Sequence, residues 1–379
     1  MKTISNFNLK NKTVLLRCDL NSDVVNGKVL ESERIKEAAR TISLLKKKKA
    51  KVVILAHQGT PKKSDFLSLE QHSKQLNKFT KTKFIKDILG KKSEKEIKNL
   101  KEGGALLLEN IRFEKDEFAP EKEKENKIVK FFIPLIDIYI NDAFSVCHRK
   151  QTSIVTLPKY FPSGIGLFVE EELNALKKIK IKNCFYILGG AKPQDNIKLL
   201  RKNNVLACGL FGQLCLIAKG KDLGEQNKYL KKNITDFDKI IKELKPKLKN
   251  VQTPIDFAVK VKEKRVEIPI EEFPSKYEIF DIGKKTQELY KNKIKNAKSI
   301  YMKGPAGFCS DKRFCQGTNE ILKAVSNIKG FSVIGGGHLS DAIKLMKINK
   351  NKFNHISLSG GALLNYIAGE KLPGLEVLK

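Results

Sequence analysis

The stretch Thr13-Val-Leu-Leu-Arg-Cys-Asp-Leu-Asn21 joins a short apolar run to several polar side chains. Its first part, Thr13 to Leu16, predicts a buried strand. Three similar runs follow, and two amphipathic segments between them have helical spacing. The runs are Lys51 to Ala56, Ala105 to Leu108 and Ile136 to Ile140, and the helical segments are Glu33 to Leu45 and Leu69 to Phe79. Strands that alternate with helices predict a parallel α/β sheet.

The same alternation returns in the second half of the chain. The candidate strands there are Cys184 to Leu188, Asn204 to Cys208, Ser299 to Met302, Phe331 to Ile334 and His355 to Leu358. A turn-rich passage, Leu157 to Gly166, separates the halves, and Glu170 to Ile179 after it is rich in helix formers. A chain of 379 residues is also too long for one ordinary core. We therefore expect an α/β protein with two Rossmann-like domains, divided near residue 166, whose parallel sheets are joined by a connecting helix and hinge.

The chain carries a formal net charge of +32 at pH 7. Lysine is spread along the whole sequence and no aromatic-rich basic motif accompanies it, so a solvated surface explains the charge better than nucleic acid binding does. Nucleic acid binding stays an alternative, recognisable by a steeply salt-dependent affinity for DNA or RNA, but no specific nucleic acid partner is expected. The positive field should still attract anionic metabolites and nucleotides.

Arginine is scarce, because it supplies only eight of the 74 basic residues. The arginines are Arg17, Arg34, Arg40, Arg112, Arg149, Arg201, Arg265 and Arg313. A chain that takes its positive charge almost entirely from lysine keeps arginine chiefly where a planar, bidentate group is needed, as for phosphate or carboxylate. For any one of these arginines alone, an ordinary surface charge remains the simpler interpretation.

The seven cysteines include no CxxC pair and are odd in number, so we expect neither a zinc site nor a disulfide framework. No apolar run is long enough to cross a bilayer, and no apolar signal core follows the N-terminus. These features predict a protein of the reducing cytoplasm with no membrane partner.

Polar side chains follow the predicted strands of the first half. They are Asp19, Asn21, His57, Arg112 and Arg149. Because open α/β sheets bind ligands at the carboxyl ends of their strands, this arrangement predicts a basic pocket for a small phosphorylated acid. The alternatives are turn capping for Asp19 and Asn21, and a hydrogen-bonded loop histidine for His57.

Four glycine-rich turns each follow a candidate strand in the second half. They are Gly189-Gly-Ala-Lys192, Gly304-Pro-Ala-Gly307, Gly335-Gly-Gly337 and Gly360-Gly361. Glycine permits a close approach of the backbone to phosphate, and a following helix adds aligned amide groups. None of the turns is a P-loop or a GxGxxG motif, but together they predict a nucleotide site.

The order of these motifs resembles that of the phosphoglycerate kinase family, from about Lys12 to the last residues. The matching stretches of the first half are Arg17 to Asn21, Arg34-Ile35, His57 to Pro61, Leu108 to Phe113 and Asn141 to Arg149. Those of the second half are Gly189 to Lys192, Pro254 with Asp256, Asp281 to Gly283, Gly304-Pro305, Gly317-Thr318, Gly335 to Gly337 and Leu372 to Gly374. As a set the stretches are highly specific.

The resemblance implies a kinase of glycolysis and gluconeogenesis that transfers a phosphoryl group reversibly between 1,3-bisphosphoglycerate and ADP, giving 3-phosphoglycerate and ATP. It implies acid binding by Asp19, Asn21, Arg34, His57, Arg112 and Arg149. It implies binding of Mg²⁺ with ATP or ADP by Gly190, Lys192, Lys303, Gly304, Gly335, Gly336, Gly337 and His338, with Arg34 and Lys192 as the catalytic pair. The metal ligand stays unknown.

The resemblance also implies a domain arrangement. Residues 1–166 would bind the acid and residues 167–364 the nucleotide, while residues 365–379 would pack back on the first domain. The domains would close about the connecting helix, exclude water and align a carboxylate oxygen with the terminal phosphate for in-line transfer, with no covalent enzyme intermediate. A monomer is expected.

The sequence departs from the family pattern chiefly in the nucleotide half. A second lysine after Lys192 is Asn196 here, and the asparagine before the Gly304-Pro305 turn is Lys303. The other departures are His338 for a magnesium-binding aspartate, Ser310 for a ribose-contacting glutamate, Leu358-Ser359 for a threonine-glycine pair and Thr60 for an arginine. Imidazole is a poor ligand for magnesium, which prefers oxygen.

Two interpretations of these departures stay open at this point. Lys303 could replace the missing phosphate-binding charge and Asp311 or Asp341 the missing acidic groups, which would leave a working but divergent kinase. Alternatively, the chain is a catalytically impaired or altered-substrate relative that binds an anionic ligand.

Overall fold

The computed structural model describes residues 1–179, 183–190, 192–200 and 204–379. The chain divides into two units, residues 1–174 with 369–379, and residues 175–368. Arg201, one of the eight arginines, and Ala191, within the first glycine-rich turn, lie outside the described residues. No helix among the described residues is both long and apolar enough to cross a membrane.

The first unit alternates strands and helices as the apolar runs predict. In chain order its elements are β1 (Thr13–Cys18), β2 (Val24–Val25), β3 (Lys28–Val29), α1 (Glu33–Lys47), β4 (Lys51–Leu55), α2 (Glu70–Leu76), β5 (Lys83–Ile85), α3 (Lys91–Lys98), β6 (Ala105–Leu108), α4 (Lys127–Phe132), β7 (Ile138–Asp142), β8 (Ser163–Ile165) and α5 (Leu167–Lys178). The helix α5 occupies the position expected for the connecting helix and contains the division between the units.

The sheet of the first unit is parallel throughout and has the order β5-β6-β4-β1-β7-β8. From β1 the chain moves to β4 on one side and later returns to β7 on the other. The carboxyl ends of β1 and β7 therefore flank a topological switch point, where open α/β sheets bind their ligands. Helix α1 packs on the sheet through Ile35 and Ile42, and its first turn is capped by Ser32, whose hydroxyl accepts from the Arg34 amide at 3.2 Å.

The second unit repeats this plan and adds a small antiparallel sheet. Its described elements are β9 (Cys184–Leu188), α6 (Pro193–Ile197), β10 (Asn204–Ala207), α7 (Gly209–Ala218), α8 (Glu225–Asn233), α9 (Phe237–Leu244), β11 (Val251–Gln252), β12 (Asp256–Val261), β13 (Lys264–Pro269), β14 (Ile279–Ile282), α10 (Lys284–Ile294), β15 (Ser299–Lys303), α11 (Gln316–Ser326), β16 (Phe331–Gly335), α12 (Gly337–Leu345), β17 (His355–Ser357) and α13 (Gly361–Ile367).

The parallel sheet of the second unit has the order β11-β10-β9-β15-β16-β17, so its switch point lies between β9 and β15. These strands are buried on both faces, and α11 and α12 cover them through residues such as Ile321 and Leu339. The antiparallel sheet, in the order β13-β12-β14, was not predicted from the sequence. The last helix, α14 (Pro373–Glu376), belongs to the first unit, where the Gly374 amide donates to the carbonyl of Cys147 at 2.9 Å.

One sequence-based expectation is wrong. Cys309 and Cys315 form a disulfide, although the sequence predicted no disulfide framework and a reducing environment. A 3₁₀ turn over Lys312–Phe314 brings their Cα atoms to 4.4 Å, a proximity that a spacing of six residues does not reveal. The other five cysteines are buried free thiols.

Candidate functional site

The acid pocket expected in the first unit lies at the carboxyl ends of β1 and β7. Arg17, at the base of this region, is fully buried. Its guanidinium donates to Ser153 Oγ at 3.0 Å, to the carbonyl of Cys18, and to Nδ1 of His57 at 3.2 Å. Ser153 in turn donates through its hydroxyl to Glu117 at 2.7 Å. Arg17 therefore supports the pocket from below, a role that sequence reasoning did not assign to it.

The contact with Arg17 fixes the protonation of His57. A guanidinium has only donors, so Nδ1 of His57 must accept and its ring proton resides on Nε2. Burial lowers the pKa of His57 well below its usual value, and the charges of Arg17, Arg112, Arg149 and Arg34 lower it further. The imidazole is therefore neutral at pH 7 and has one N–H group to donate.

Asp19 and Asn21 hold the neighbouring groups in place. Arg34 forms an ion pair with Asp19 at 2.8 Å, and the hydroxyl of Ser145 donates to the same carboxylate. The Asn21 side-chain oxygen accepts from the Gly59 amide at 2.8 Å. Both side chains therefore organise the local backbone or its neighbours, as the alternative interpretation of turn capping implied. Asp19 also holds the guanidinium of Arg34 in place.

Arg112 is 4% exposed and is under-bonded for a buried cation. It donates to the carbonyl of Gly59 and, at 3.4 Å, to the side-chain oxygen of Gln151, while its buried Nε has no hydrogen-bond partner among the described residues. Burial lowers the pKa of Arg112 to about 10. The positive charges of Arg149 and Arg17 lower this pKa further, whereas the negative charges of Glu117 and Asp19 raise it. The side chain stays cationic at neutral pH, and an anion in the pocket would relieve both the repulsion and the unpaired donor.

The structure therefore brings Arg34, His57, Arg112 and the exposed Arg149 to one edge of the sheet. Thr60 is exposed there and adds no charge, although its amide donates to Asp65 at 3.2 Å. Three guanidinium groups and one neutral imidazole donor form a receptor suited to a small acid that carries phosphate.

The glycines of the second unit divide into two groups. Gly189, Gly190 and Gly304 pack against one another: the Gly190 amide donates to the Pro305 carbonyl at 2.9 Å, and a Cβ on Gly304, whose φ is +74°, would lie 2.6 Å from the Gly189 oxygen. Gly335 similarly packs beside Tyr301. These glycines allow the close approach of the strand ends β9, β15 and β16.

A second group of glycines faces open space. An added Cβ at Gly336, Gly337 or Gly360 would meet no atom within 4 Å among the described residues. Helix α12 begins at Gly337 and spans nine residues, so its first amide groups and its positive dipole end point toward this space. His338 lies exposed in the first turn of α12, and Lys192 is exposed just before α6. A phosphate chain could approach the backbone here without a steric conflict.

Lys303 ends β15 at the switch point of the second sheet. Its ammonium lies 3.1 Å from a carboxylate oxygen of Asp195 and 3.1 Å from the side-chain oxygen of Asn196. Burial lowers its pKa and the neighbouring Lys192 adds to this effect, whereas Asp195 opposes it. No group of three His, Cys, Asp or Glu side chains in the described part of the chain is arranged to hold a metal ion, so the residue types at this site do not form a magnesium cage.

Comparison with known proteins decides the family. The family model for phosphoglycerate kinase matches residues 4–370. The chain is 39% identical over 398 residues to the phosphoglycerate kinase of Methanothermus fervidus, covering 100% of this chain and 96% of that protein. It is 41% identical over 396 residues to the enzyme of Methanobacterium bryantii, covering 99% and 96% of the two chains. The chain belongs to the phosphoglycerate kinase family.

The solved structures agree with this assignment. The crystal structure of phosphoglycerate kinase from Pyrococcus horikoshii superposes with a TM-score of 0.92 at 36% identity, covering 100% of this chain and 98% of that one. The phosphoglycerate kinase from Coxiella burnetii gives a TM-score of 0.80 at 29% identity with the same coverage. The predicted α/β fold with two parallel sheets is confirmed, and the chain is a phosphotransferase with a carboxyl group as acceptor.

Proposed function

We propose that the acid pocket of the first unit binds 3-phosphoglycerate or its acyl phosphate, and that the glycine turns of the second unit bind the magnesium complex of ATP or ADP. The reaction is reversible transfer of the terminal phosphoryl group between nucleotide and carboxylate, a step of glycolysis and gluconeogenesis. In this proposal the protein is a cytoplasmic monomer. Its acid domain consists of residues 1–166 and 365–379, and its nucleotide domain consists of residues 167–364.

One observation supports the acid-binding part of the proposal. The Nε of Arg112 is buried and has no hydrogen-bond partner among the described residues. A buried donor left unmade costs about 1–3 kcal/mol, and a bound anion would recover that cost. Arg34, Arg149 and the Nε2–H of His57 supply further donors, and Asp19 and Asn21 hold the frame. In this proposal Arg34 lies close enough to the acid group to stabilise the charge of the transfer step.

In the nucleotide half, the phosphates approach Gly336, Gly337 and the amide groups of α12, while Lys192 and Lys303 contribute charge. Gly190, Gly304 and Gly335 keep the strand ends close. His338 can donate a ring N–H group to a phosphate, whereas its imidazole has no oxygen atom of the kind that Mg²⁺ prefers as a ligand. Magnesium enters as part of the nucleotide substrate, because Mg²⁺ commonly keeps its waters and its substrate phosphates as ligands.

The test is a coupled assay of ATP-dependent turnover of 3-phosphoglycerate by the full chain, with magnesium varied. We expect turnover that requires both substrates and magnesium. A folded protein that binds 3-phosphoglycerate but gives no turnover would support instead the alternative of an impaired or altered-substrate relative. The controls omit 3-phosphoglycerate, which measures plain ATP hydrolysis, and replace Arg112 by alanine, which should raise the KM for the acid.

A further inference from the structure

A buried glutamine lies inside the loop that carries His57 of the acid pocket. Gln58 is fully buried and stands directly between His57 and Gly59. Its side-chain oxygen accepts from the Ser22 amide at 2.9 Å, and its side-chain nitrogen donates to the Ser22 carbonyl at 3.0 Å. The same nitrogen also donates to the Asp65 carbonyl at 3.2 Å. Gln58 therefore ties the loop after β4 to the loop after β1.

A second connection between the same two loops lies beside the first. Asn21 directly precedes Ser22, and its side-chain oxygen accepts from the Gly59 amide at 2.8 Å. The carbonyl of Gly59 in turn accepts from the guanidinium of Arg112. The backbone next to Gln58 therefore holds one guanidinium of the acid pocket directly, and a shift of this backbone would move that group.

Helix α2 supplies the remaining partner of the glutamine side chain. His72 of α2 is fully buried, and its Nε2 lies 2.9 Å from the side-chain oxygen of Gln58. The Ser22 amide can only donate, so this oxygen is an acceptor and His72 must donate to it through an Nε2–H group. Burial lowers the pKa of His72 to about 4, so the ring is neutral at pH 7. Its Nδ1 has no hydrogen-bond partner among the described residues, so Gln58 is the one polar partner that they give this side chain.

The start of the same helix also supports the segment that precedes Arg112. The Leu69 amide donates to the carboxylate of Glu109 at 2.9 Å. Asn110, the next residue, donates through its side-chain amide to the Gln58 carbonyl at 2.8 Å. Helix α2 is therefore a common support for the two loops that carry pocket residues after β4 and β6.

We propose that His72 is a positioning residue for binding of the phosphorylated acid, and that it acts through Gln58 on the loop that carries His57 and Gly59. The inference rests on the proposed function of the first unit. Without the Nε2–H group of His72, a buried acceptor loses one of its two donors, and the Gln58 amide is free to turn away from Ser22. A misplacement of binding groups by about 1 Å can cost a factor of about 100, so a small movement of this loop is sufficient to weaken acid binding.

A role in packing alone is the competing explanation for the buried histidine. It predicts that any side chain of similar volume at position 72 preserves acid binding and changes stability at most. The proposal predicts that a donor is required at this position. His72→Met keeps the volume and removes the donor, whereas His72→Gln keeps an N–H donor at a similar distance from the backbone. These two variants therefore separate the explanations.

The experiment compares both variants of the full chain with the control Gln75→Met. Gln75 lies on the same helix and donates to the Val29 carbonyl at 2.9 Å, so the control removes a comparable hydrogen bond away from the acid pocket. We expect His72→Met to raise the KM for 3-phosphoglycerate by about tenfold or more, while the KM for ATP changes by less than about twofold. His72→Gln should stay within about threefold of the wild type, and Gln75→Met should leave both KM values unchanged.

Two kinetic outcomes would overturn the proposal. One is a wild-type KM for 3-phosphoglycerate in His72→Met, and the other is an equal rise of this KM in His72→Met and His72→Gln. Melting curves followed by circular dichroism establish that each variant is folded at the assay temperature. His72→Leu serves as a second variant without a donor should the methionine destabilise the unit.

Hydrogen exchange separates failure of this inference from failure of the proposed function. If the wild type neither binds 3-phosphoglycerate in a calorimetric titration nor turns it over, the proposed function fails. Exchange then decides whether His72 holds the loops, because the amides of Ser22 and Gly59 each donate to a side chain of the opposite loop. Both amides should exchange about tenfold or more faster in His72→Met than in Gln75→Met. Equal rates in the two variants would overturn the inference whatever the turnover.

Discussion

Replacing Arg17 by methionine should destabilise the first unit by an amount that depends on pH. The guanidinium is fully buried and donates to Ser153, to the Cys18 carbonyl and to His57. Its charge also offsets that of Glu117, which is itself fully buried. The substitution leaves the Nδ1 acceptor of His57 without its donor, at about 1–3 kcal/mol. It also leaves Glu117 with only the weaker of its two compensating charges, that of Arg112. Together these effects should cost about 3–5 kcal/mol at neutral pH.

The dependence on pH follows from Glu117. Burial raises the pKa of this carboxyl, and Arg17 is the largest opposing influence. Without Arg17 the folded-state pKa rises further, so folding favours the protonated form. The stability of the variant should then be highest below the unfolded pKa of glutamate, about 4.3, and should fall as pH rises through the folded pKa. The difference from the wild type is therefore larger at about pH 8 than at about pH 5.

The assay is urea unfolding of the full chain followed by circular dichroism, with hydrogen exchange to assign the transition to residues 1–174. Arg17→Met with Glu117→Gln removes both charges and should recover about half of the lost stability or more, without the pH dependence. Arg40→Met is the control, because Arg40 forms exposed ion pairs with Glu37 and Glu171, of a kind worth about 0–1 kcal/mol. A single variant that loses the same stability at every pH, and is not improved by the second change, would refute the reasoning.

Three further predictions concern the two sites. The KM for 3-phosphoglycerate should show no titration of His57 between about pH 6 and about pH 8, because burial and the neighbouring arginines lower the pKa of His57 well below its usual value. The phosphate of the substrate itself titrates at about pH 6, so the check is an NMR titration of the His57 ring, in which a midpoint near about pH 6.5 would contradict a neutral His57. Arg112→Lys should raise that KM by about tenfold or more through loss of the planar fork, while Arg40→Lys on the exposed face of α1 leaves it unchanged in the same assay. Gly304→Ala should lower the melting temperature strongly, because its Cβ would lie 2.6 Å from a backbone oxygen at positive φ. Gly337→Ala should melt near the wild type, because no atom of the described residues lies within 4 Å of the added Cβ.

The sequence was sufficient for the central strands of both sheets. Continuous apolar runs such as Thr13 to Leu16 and Ser299 to Met302 are buried on both faces, and this pattern is the one that periodicity detects. Short edge strands such as Lys83–Ile85 and Val251–Gln252 were not predicted, because two or three residues are too few to show a strand periodicity. The strand Lys264–Pro269 was not predicted for a different reason, since it is half-exposed and rich in charged residues. Its antiparallel pairing with β12 forms only in the folded unit.

The sequence also located the carboxyl-edge turns but did not separate their roles. Asp19 and Asn21 look alike in the sequence, yet one orients Arg34 and the other accepts from Gly59. Glycines of the same motif likewise differ, since Gly304 packs against Gly189 while Gly337 faces open space. These distinctions depend on which atoms approach each other in three dimensions.

The contact between Lys303 and Asn196 is a further example of a proximity that the sequence does not reveal. One interpretation of the sequence had Lys303 replace the missing phosphate-binding charge, but its distance of 3.1 Å from the side-chain oxygen of Asn196 is visible only in the folded chain. The Cys309–Cys315 disulfide was also missed, because the turn that joins its two cysteines is visible only in the folded chain. The roles of the individual site residues stay predictions.

The most direct test of phosphoryl transfer to a carboxylate traps the product. The full chain is incubated with ATP, magnesium and 3-phosphoglycerate in the presence of hydroxylamine, which converts an acyl phosphate into a hydroxamate, and ADP is measured in parallel. The account predicts equal amounts of hydroxamate and ADP, and neither product when 3-phosphoglycerate is omitted. ADP without hydroxamate would show hydrolysis rather than transfer, and folded protein that forms neither product would contradict the account.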